Sequence, residues 1–421
     1  MKILFLVDSY YPESSANTVC SDIFINYFKK QGDQVDILSI LPNNEGSTCF
    51  DFNGSKIIKF KTYHNYFLEK NKKFFKADNW KDLPWVVRKS VALANRFEHL
   101  FRCNTEYNSL DVVNYDDIYR RVVNAVDYKY DIIISCSAPF ALHVIASKLL
   151  KRGVANRWYP IFLDPFVNNK CLNNRRVNKR KRIAEKTLKH AQNIFVIDGV
   201  MEENLRLGFN SQYYNKVIEF TMPNLIEPSC IIERKKTLPD NKILLFYAGL
   251  FYDKIRNPSE MLNIINKFPN NYELNIYGSG CEDLVKKYTD IDGDKFKYWG
   301  RVKHDICLER LQESNILINL SNTITNQMPS KVFEYISFGK PVINFYFNEN
   351  DVSLKYFKKY PLAFNINLNN YTEDDIQKLI EFCNLNRNKC LSFDEATQNL
   401  ASYRAENVCK LIYKYITDGE K

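Results

Sequence analysis

The sequence lacks several features that would place it in an easily recognised class of protein. No apolar stretch among its 421 residues approaches the roughly 18–20 residues of a membrane-spanning helix. The apolar segment at residues 1–8 is too short for a signal peptide and is expected to be a buried strand. The eleven cysteines include no C-x-x-C pair. This argues against a disulfide framework or a structural zinc site and predicts a reducing, cytoplasmic setting.

Internal repeats, low-complexity tracts and His-rich ligand sets are also missing. The chain has five histidines, and we expect that it requires no metal and no other cofactor. A hydrophobic content of 45% with 26% charged residues is ordinary for a globular chain, which excludes disorder as the main state. The length predicts two or three domains.

The net charge of +10 is confined to one half of the chain. Residues 1–225 contain 33 Lys and Arg against 23 Asp and Glu, whereas residues 226–421 contain 26 of each. A generally lysine-rich composition would give both halves an excess of positive charge. Because only the first half has one, we expect positive charge to have a function there.

The apolar pattern predicts two domains of the same type. In each half, short Ile-, Leu-, Val- and Phe-rich runs alternate with amphipathic stretches, which is typical of a parallel sheet covered by helices on both faces. The turn-rich segment Met222-Pro223-Asn224-Leu225-Ile226-Glu227-Pro228 separates the two halves. Among the predicted strands are Ile3–Val7, Asp131–Ser135, Ile243–Tyr247 and Ile316–Leu320.

The loop after the predicted strand Ile243–Tyr247 is the first candidate binding element. Gly249 permits a tight exit from the sheet, and Arg256 precedes a helix that starts near Pro258. A guanidinium beside free amides at a helix start suits a phosphate or diphosphate. The alternative is a solvated arginine in a loop.

A second candidate element follows the predicted strand Ile316–Leu320. Ser330 is placed to cap the next helix, and Lys331 adds a cation beside it. Glu334 falls on the same helix face as Ser330, where its carboxylate can accept hydrogen bonds from a ribose diol. The alternative is that Ser330 and Glu334 serve only the helix end.

These elements resemble segments of retaining glycosyltransferases of the GT-B fold, in particular family-4-like enzymes of bacterial surface-polysaccharide synthesis. Pro329-Ser330-Lys331-Val332-Phe333-Glu334-Tyr335, followed by Gly339-Lys340-Pro341-Val342, is similar to the donor-binding segment of that family. Other similar segments, in the same order as in the family, are Asp131 to Phe140, Asp164 to Phe166, Met222 to Asn224, Gly249 to Pro258, Tyr277 to Gly280 and Trp299 to Val302.

The resemblance implies an α/β chain with two doubly wound Rossmann-like domains facing across a cleft. Residues 1–222 would bind the acceptor, 223–228 would be the linker, 229–392 would bind the nucleotide sugar, and 393–416 would form a C-terminal helix packing back on the first domain. It also implies sugar transfer with retention from a nucleotide-diphosphate donor, expected to be a UDP-sugar. The acceptor would be a glycan or a polyprenyl-diphosphate-linked glycan. Gly249, Gly278 and Val302 would line the donor site.

Two positions depart from the family pattern. The family has a glutamate eight positions before Glu334, where this chain has Asn326. An amide still hydrogen-bonds a sugar hydroxyl but carries no negative charge. The Gly-Gly loop of the family is replaced by Glu13-Ser14-Ser15-Ala16-Asn17-Thr18, which restricts backbone approach to a phosphate.

Candidate residues for the reacting centre come from strand exits in the first half. The resemblance places the acceptor-side polar residue at Asp164, for which a turn-capping role is the alternative. His143 follows Ser137-Ala138-Pro139 and is a second catalytic candidate, although a lone helical histidine is often packed. Asp8 and Asn17 flank the first strand exit and are expected to contact the acceptor.

Basic and aromatic residues are concentrated in the first half. Residues 170–189 contain nine Lys and Arg, and residues 63–101 mix nine aromatic residues with several lysines. This composition is typical of surfaces that meet anionic lipid, so we expect peripheral contact with the inner membrane surface. The alternative is a solvated helix and a locally packed insertion.

Two other functions remain open at this point. Nucleotide-sugar 2-epimerases share the fold but act on the donor alone. A basic protein that binds polyanions or nucleic acid is an alternative of another class. The neutral second half and the missing nucleic-acid-binding signatures argue against it, so we expect no nucleic-acid partner.

Overall fold

The computed structural model describes residues 1–11, 16–40, 49–60, 71–77, 82–90, 93, 115–137, 139–167, 177–198, 215–228, 242–325, 328–329 and 331–418. The chain divides into two compact units. Unit 1 comprises Met1–Pro223 and Val408–Lys421, and unit 2 comprises Asn224–Asn407.

Unit 1 is built on an eight-stranded sheet with the order β3-β4-β2-β1-β5-β6-β7-β8, in which only the β3–β4 pair is antiparallel. Its strands are β1 Lys2–Leu6, β2 Gln34–Ile40, β3 Cys49–Phe52, β4 Ser55–Phe60, β5 Tyr130–Ser137, β6 Ala155–Phe162, β7 Ile194–Ile197 and β8 Val217–Phe220. Its helices are α1 Ala16–Lys30, α2 Tyr115–Ala125, α3 Ala141–Lys151 and α4 Val177–Leu188. Residues 71–75 and 85–90 are also helical.

Unit 2 is built on a six-stranded parallel sheet with the order β11-β10-β9-β12-β13-β14. Its strands are β9 Ile243–Leu250, β10 Tyr272–Ser279, β11 Phe296–Gly300, β12 Ile316–Leu320, β13 Val342–Tyr346 and β14 Ala363–Asn367. Its helices are α5 Ser259–Asn266, α6 Glu282–Ile291, α7 His304–Glu313, α8 Lys331–Ser337, α9 Leu354–Phe357, α10 Glu373–Asn386 and α11 Phe393–Ala396.

The central strands form because their side chains are apolar on both faces of the sheet. Every residue of β12 is buried, as are all but the first residue of β1. Burial on both faces is what a parallel sheet between helix layers requires. The predicted strands are therefore present, whereas β3 was missed because its four residues alternate between exposed and half-buried positions at the sheet edge.

The predicted C-terminal helix at 393–416 is not continuous. It consists of α11, a 3-10 helix at Gln398–Tyr403 and α12 at Ala405–Asp418. The end of α12 belongs to unit 1, where the ring of Tyr413 contacts Phe28 at a centroid distance of 5.6 Å. The carbonyl oxygen of Ile416 also accepts a hydrogen bond from Arg157 at 3.3 Å.

Candidate functional site

The carboxyl edge of the unit 2 sheet carries the strongest candidate site. Gly249 at the end of β9 lies opposite Gly278 at the end of β10. Gly278 has a φ of +148°, and a Cβ there would lie 1.8 Å from the carbonyl oxygen of Gly249. Only glycine permits this approach, so the two strand ends present backbone without side chains between them.

Arg256 is held at the same edge by two protein acceptors. Its Nε donates to Oδ1 of Asn322 at 3.0 Å, and its Nη1 donates to the carbonyl oxygen of Leu250 at 3.4 Å. The backbone groups of Arg256 and Tyr252 also exchange two hydrogen bonds, of 2.9 and 3.1 Å. The guanidinium is therefore anchored to the ends of two strands, β9 and β12.

The loops after β9 and β12 are joined directly as well. The amide of Thr323 donates to the carbonyl oxygen of Ile255 at 2.7 Å, and its hydroxyl donates to that of Lys254 at 3.1 Å. The sequence pattern predicted binding residues in both loops, with Arg256 in the first and Asn326 and Ser330 in the second, but it did not select Asn322. Its only signal was the position of Asn322 two residues after an apolar strand.

Lys331 and Glu334 lie on the first turn of α8, which packs against the end of β9. Lys331 Nζ lies 2.5 Å from Glu334 Oε2, and the two side chains are 28% and 20% exposed. The hydroxyl of Tyr335 accepts a hydrogen bond from the amide of Ala248 at 3.3 Å. This contact ties α8 to the strand that leads into the Arg256 loop.

Electrostatic interactions show which groups lie close to the Lys331–Glu334 pair. Burial raises the pKa of Tyr335 well above its usual value, and the charge of Glu334 adds to this effect. Burial also raises the pKa of the Cys307 thiol on α7. The charge of Lys331 opposes this increase, and the charge of Glu334 adds to it. The pair on α8 thus lies beside both the β9 end and α7.

Three other predicted donor residues have different outcomes. Asn326 and Ser330 lie outside the described residues. Val302 is half-buried just after β11. At the start of α5, one of the expected free amides is already satisfied, because the Ser259 amide donates to Asn257 Oδ1 at 2.9 Å.

An Asp-x-Asp-x-Asp sequence spans the end of α6 and the turn before β11, at Asp290, Asp292 and Asp294. The carboxylate of Asp292 accepts hydrogen bonds from the amides of Asp294 and Lys295, at 3.2 and 3.0 Å, and closes the turn. Within the described ranges, no group of three or more His, Cys, Asp or Glu side chains is arranged to hold a metal ion. Metal independence stays a prediction.

In unit 1, the acceptor candidate Asp8 and the catalytic candidate Asp164 follow strands on either side of β5. Asp8 follows β1, and Asp164 follows β6. Burial raises the pKa of the Cys136 thiol on β5, and the charges of both carboxylates contribute to the increase. Asp8 and Asp164 therefore lie near the same strand end, and both are half-buried.

Asn17 lies in the first turn of α1, half-buried beside the loop that carries Asp8. The adjacent Thr18 fixes this loop, since its hydroxyl donates to the carbonyl oxygen of Ser9 at 2.6 Å. Tyr10 is tied to α1 as well, through a hydrogen bond of 2.5 Å from its hydroxyl to Asp22. Two side chains of α1 thus stabilise the exit of β1.

The catalytic prediction for His143 is wrong, because this side chain is 0% exposed in the core of unit 1. Its ring lies 4.5 Å from that of Phe162. Trp158 donates to Ser135 Oγ at 2.8 Å, and Ser135 Oγ lies 2.7 Å from His143 Nδ1. The Ser135 hydroxyl therefore links the Trp158 indole to the His143 ring inside the core. Burial lowers the pKa of His143 from 6.5 to about 3.

The basic and aromatic stretches of unit 1 are partly described. In α4, Arg180 is buried, so this predicted surface cation packs inside the unit. The segments 71–77 and 82–90 expose large apolar side chains, of which Phe74 is 78% and Trp85 is 62% exposed. The ammonium of Lys89 lies 4.9 Å from the Trp85 ring centroid. None of the helices in the described ranges is long and apolar enough to cross a membrane.

Comparison with known proteins establishes the fold. No protein-family model and no curated protein matches the sequence. The chain is similar to the apo form of the lipopolysaccharide outer core galactosyltransferase WaaB, with 13% identity and a TM-score of 0.57 over 100% of both chains. It is similar to sucrose-phosphate synthase from Thermosynechococcus elongatus, with 13% identity and a TM-score of 0.63 over 99% of this chain and 98% of that one.

A third similar structure is Anabaena HepE in complex with UDP and glucose. It is 12% identical, with a TM-score of 0.60 over 99% of this chain and 100% of that one. These similarities confirm the predicted fold class: the chain has the two-domain α/β architecture called GT-B.

Proposed function

We propose that the chain is a retaining glycosyltransferase that uses a nucleotide-diphosphate sugar, with a UDP-sugar as the first candidate. One observation carries the proposal: Arg256, the bare backbone of Gly249 and Gly278, and the Lys331–Glu334 pair gather at the carboxyl edge of one parallel sheet. Ligands of such sheets bind at this edge. HepE, which has a similar fold, has been solved in complex with UDP and with UDP-glucose, and this supports the choice of donor.

The chemistry of these groups suits departure of a nucleoside diphosphate. Negative charge develops on the diphosphate as its bond to the anomeric carbon breaks, and the cations of Arg256 and Lys331 stabilise it. Glu334 pairs with Lys331 through Oε2, so Oε1 can accept hydrogen bonds from a ribose diol. Asp8 and Asp164 bind hydroxyl groups of the acceptor in unit 1.

The acceptor is a glycan or a polyprenyl-diphosphate-linked glycan of surface polysaccharide synthesis. Transfer is tested by incubating the protein with radiolabelled UDP-sugars and GDP-sugars and an extracted lipid fraction. Label in the lipid supports the proposal. Isomerised donor without transfer would favour a 2-epimerase, and binding to polyanions without either activity would favour a polyanion-binding protein.

A pair of arginine variants sharpens the experiment. R256A should lower transfer about 100-fold, the usual cost of removing one charge-stabilising group. Arg310 on α7 is the control, because it already pairs with a carboxylate, that of Glu313 at 2.5 Å, and both side chains are nearly half exposed. Equal activity of R256A and R310A would refute the role of Arg256.

Peripheral membrane contact is part of the proposal. Phe74 and Trp85 are exposed among Lys72, Lys73 and Lys89, a combination that suits an anionic lipid surface. F74S should weaken sedimentation with vesicles containing anionic phospholipid. L385S is the matched control, because Leu385 in unit 2 is 75% exposed, close to the 78% of Phe74. Equal sedimentation of the two variants would contradict this surface.

A further inference from the structure

Asn322 occupies an unusual place for a polar side chain. It lies two residues beyond the end of β12 and is only 3% exposed. Its Oδ1 accepts the hydrogen bond from Arg256 Nε at 3.0 Å. The orientation of the amide follows from chemistry, since a guanidinium has no acceptor and can face only the oxygen.

The strand end that carries Asn322 is held by a buried polar network. The neighbouring Ser321 lies 2.9 Å from the hydroxyl of Ser353, whose amide donates to Asp351 at 2.8 Å. Two residues before Ser321, within β12, Asn319 Nδ2 donates to Asn344 Oδ1 at 2.7 Å. A fully bonded buried network of this kind restricts movement of the groups it carries.

A second buried polar group, the hydroxyl of Tyr247, lies near the guanidinium. Tyr247 is 2% exposed, and its hydroxyl lacks a hydrogen bond of good geometry in the part of the chain that is described. Burial raises the pKa of Tyr247 to about 12, and the charge of Arg256 opposes this increase, which places the guanidinium beside the phenol. A Cβ at Gly249 would lie 3.1 Å from the same hydroxyl.

Arg256 is thereby fixed on two nitrogens while its charge is left uncancelled. Nε and Nη1 donate to neutral oxygens of the protein, and no carboxylate among the described residues forms an ion pair with the guanidinium. A carboxylate at position 322 would hold the same geometry but would neutralise the guanidinium. The neutral amide orients the group and keeps its attraction for an anion.

We infer that Asn322 is a positioning residue for the donor diphosphate: its neutral amide orients the guanidinium of Arg256 toward the phosphates without cancelling its charge. The inference rests on the proposed function, because it takes the diphosphate as the ligand of Arg256. It adds a specific requirement, namely that residue 322 must accept a hydrogen bond without carrying charge.

Two substitutions at this position separate orientation from charge. N322D keeps an acceptor for Nε but supplies a neutralising charge, and it should raise the Kd for UDP about 10–100-fold. N322A removes the acceptor and should raise the Kd about 10-fold. The probes are UDP and GDP, titrated by calorimetry into the full-length protein.

Asn315 provides the matched control at the other end of the same strand. It is 7% exposed, accepts a hydrogen bond from the amide of Leu244 at 2.9 Å and donates to the carbonyl of Arg387 at 2.9 Å. N315A should lower thermal stability without changing the Kd for UDP. An unchanged Kd in N322D, or an equal rise in N322D and N315A, would overturn the inference.

A second measurement works without any nucleotide. In protein labelled with ¹⁵N-arginine, the Nε–H signal of Arg256, assigned by its loss in R256K, should exchange slowly with solvent in wild type and N315A. It should exchange faster in N322A. Equal exchange in wild type and N322A would overturn the inference. Failure of the wild type to bind UDP and GDP, with slow exchange retained, would instead overturn the proposed donor.

Discussion

The buried histidine of unit 1 predicts a specific dependence of stability on pH. His143 is neutral in the folded chain because burial lowers its pKa from 6.5 to about 3. The unfolded chain takes up a proton as the pH falls through 6.5, whereas the folded chain does not. The free energy of unfolding is therefore highest above pH 6.5 and decreases as the pH falls from 6.5 towards 3.

The size of the effect follows from the two pKa values. Between pH 7.5 and pH 5, proton uptake by the unfolded chain costs about 2 kcal/mol of stability from this residue alone. H143Q removes the titrating group, so its own loss of stability between the two pH values should be smaller than that of the wild type by about 2 kcal/mol. Any loss of unfolding free energy that H143Q causes equally at both pH values cancels, because each protein is compared with itself at the two pH values.

Urea unfolding followed by tryptophan fluorescence at pH 7.5 and pH 5 measures the difference, and Trp158 lies in the same hydrogen-bonded group. H304Q is the control, because His304 is exposed at the start of α7. It should show the pH dependence of the wild type. If H143Q shows that dependence too, the histidine is not held neutral in the core and the reasoning is refuted.

Three further predictions concern unit 2. G278A should lose more than about 3 kcal/mol of unfolding free energy because its Cβ would overlap the facing strand, whereas G300A, with open space around a φ of +68°, should lose about 1–2 kcal/mol. E334Q should raise the KM for the donor about 10-fold with kcat nearly unchanged, while the loss of a partly exposed ion pair should cost less than about 1 kcal/mol of stability. N344L should cost about 2–4 kcal/mol in urea unfolding, because it removes the hydrogen bonds that Asn344 makes with Asn319 and Asn365.

Each of these has a clear contrary outcome. Equal stability of G278A and G300A would mean that the two strand ends are not in contact. An unchanged KM in E334Q would remove Glu334 from the donor site. A stability of N344L equal to that of the wild type would show that the buried amides contribute nothing to the sheet.

Some parts of the site were predictable because they depend on local sequence. Arg256 follows a buried strand at a turn with Gly249, and the Pro-Ser-Lys-x-x-Glu-Tyr segment has a recognisable spacing. Asn322 was not predictable in the same way, because its one signal, a position two residues after an apolar strand, does not reveal its partner. Its contact with Arg256 joins residues 66 positions apart, which only strand order in the sheet brings together.

The sequence alone determined the succession of strands and helices, because buried parallel strands require apolar runs on both faces and helices require amphipathic spacing. It also determined which loops carry cations. Tertiary structure decided which residues those loops contact and which polar side chains are buried. His143 shows the difference: its helix was predictable from the residues around it, but its burial depends on Trp158 and Phe162, which come from a neighbouring strand. Burial depends on such residues, which are distant in the sequence, and the local sequence pattern does not indicate which of them will come into contact.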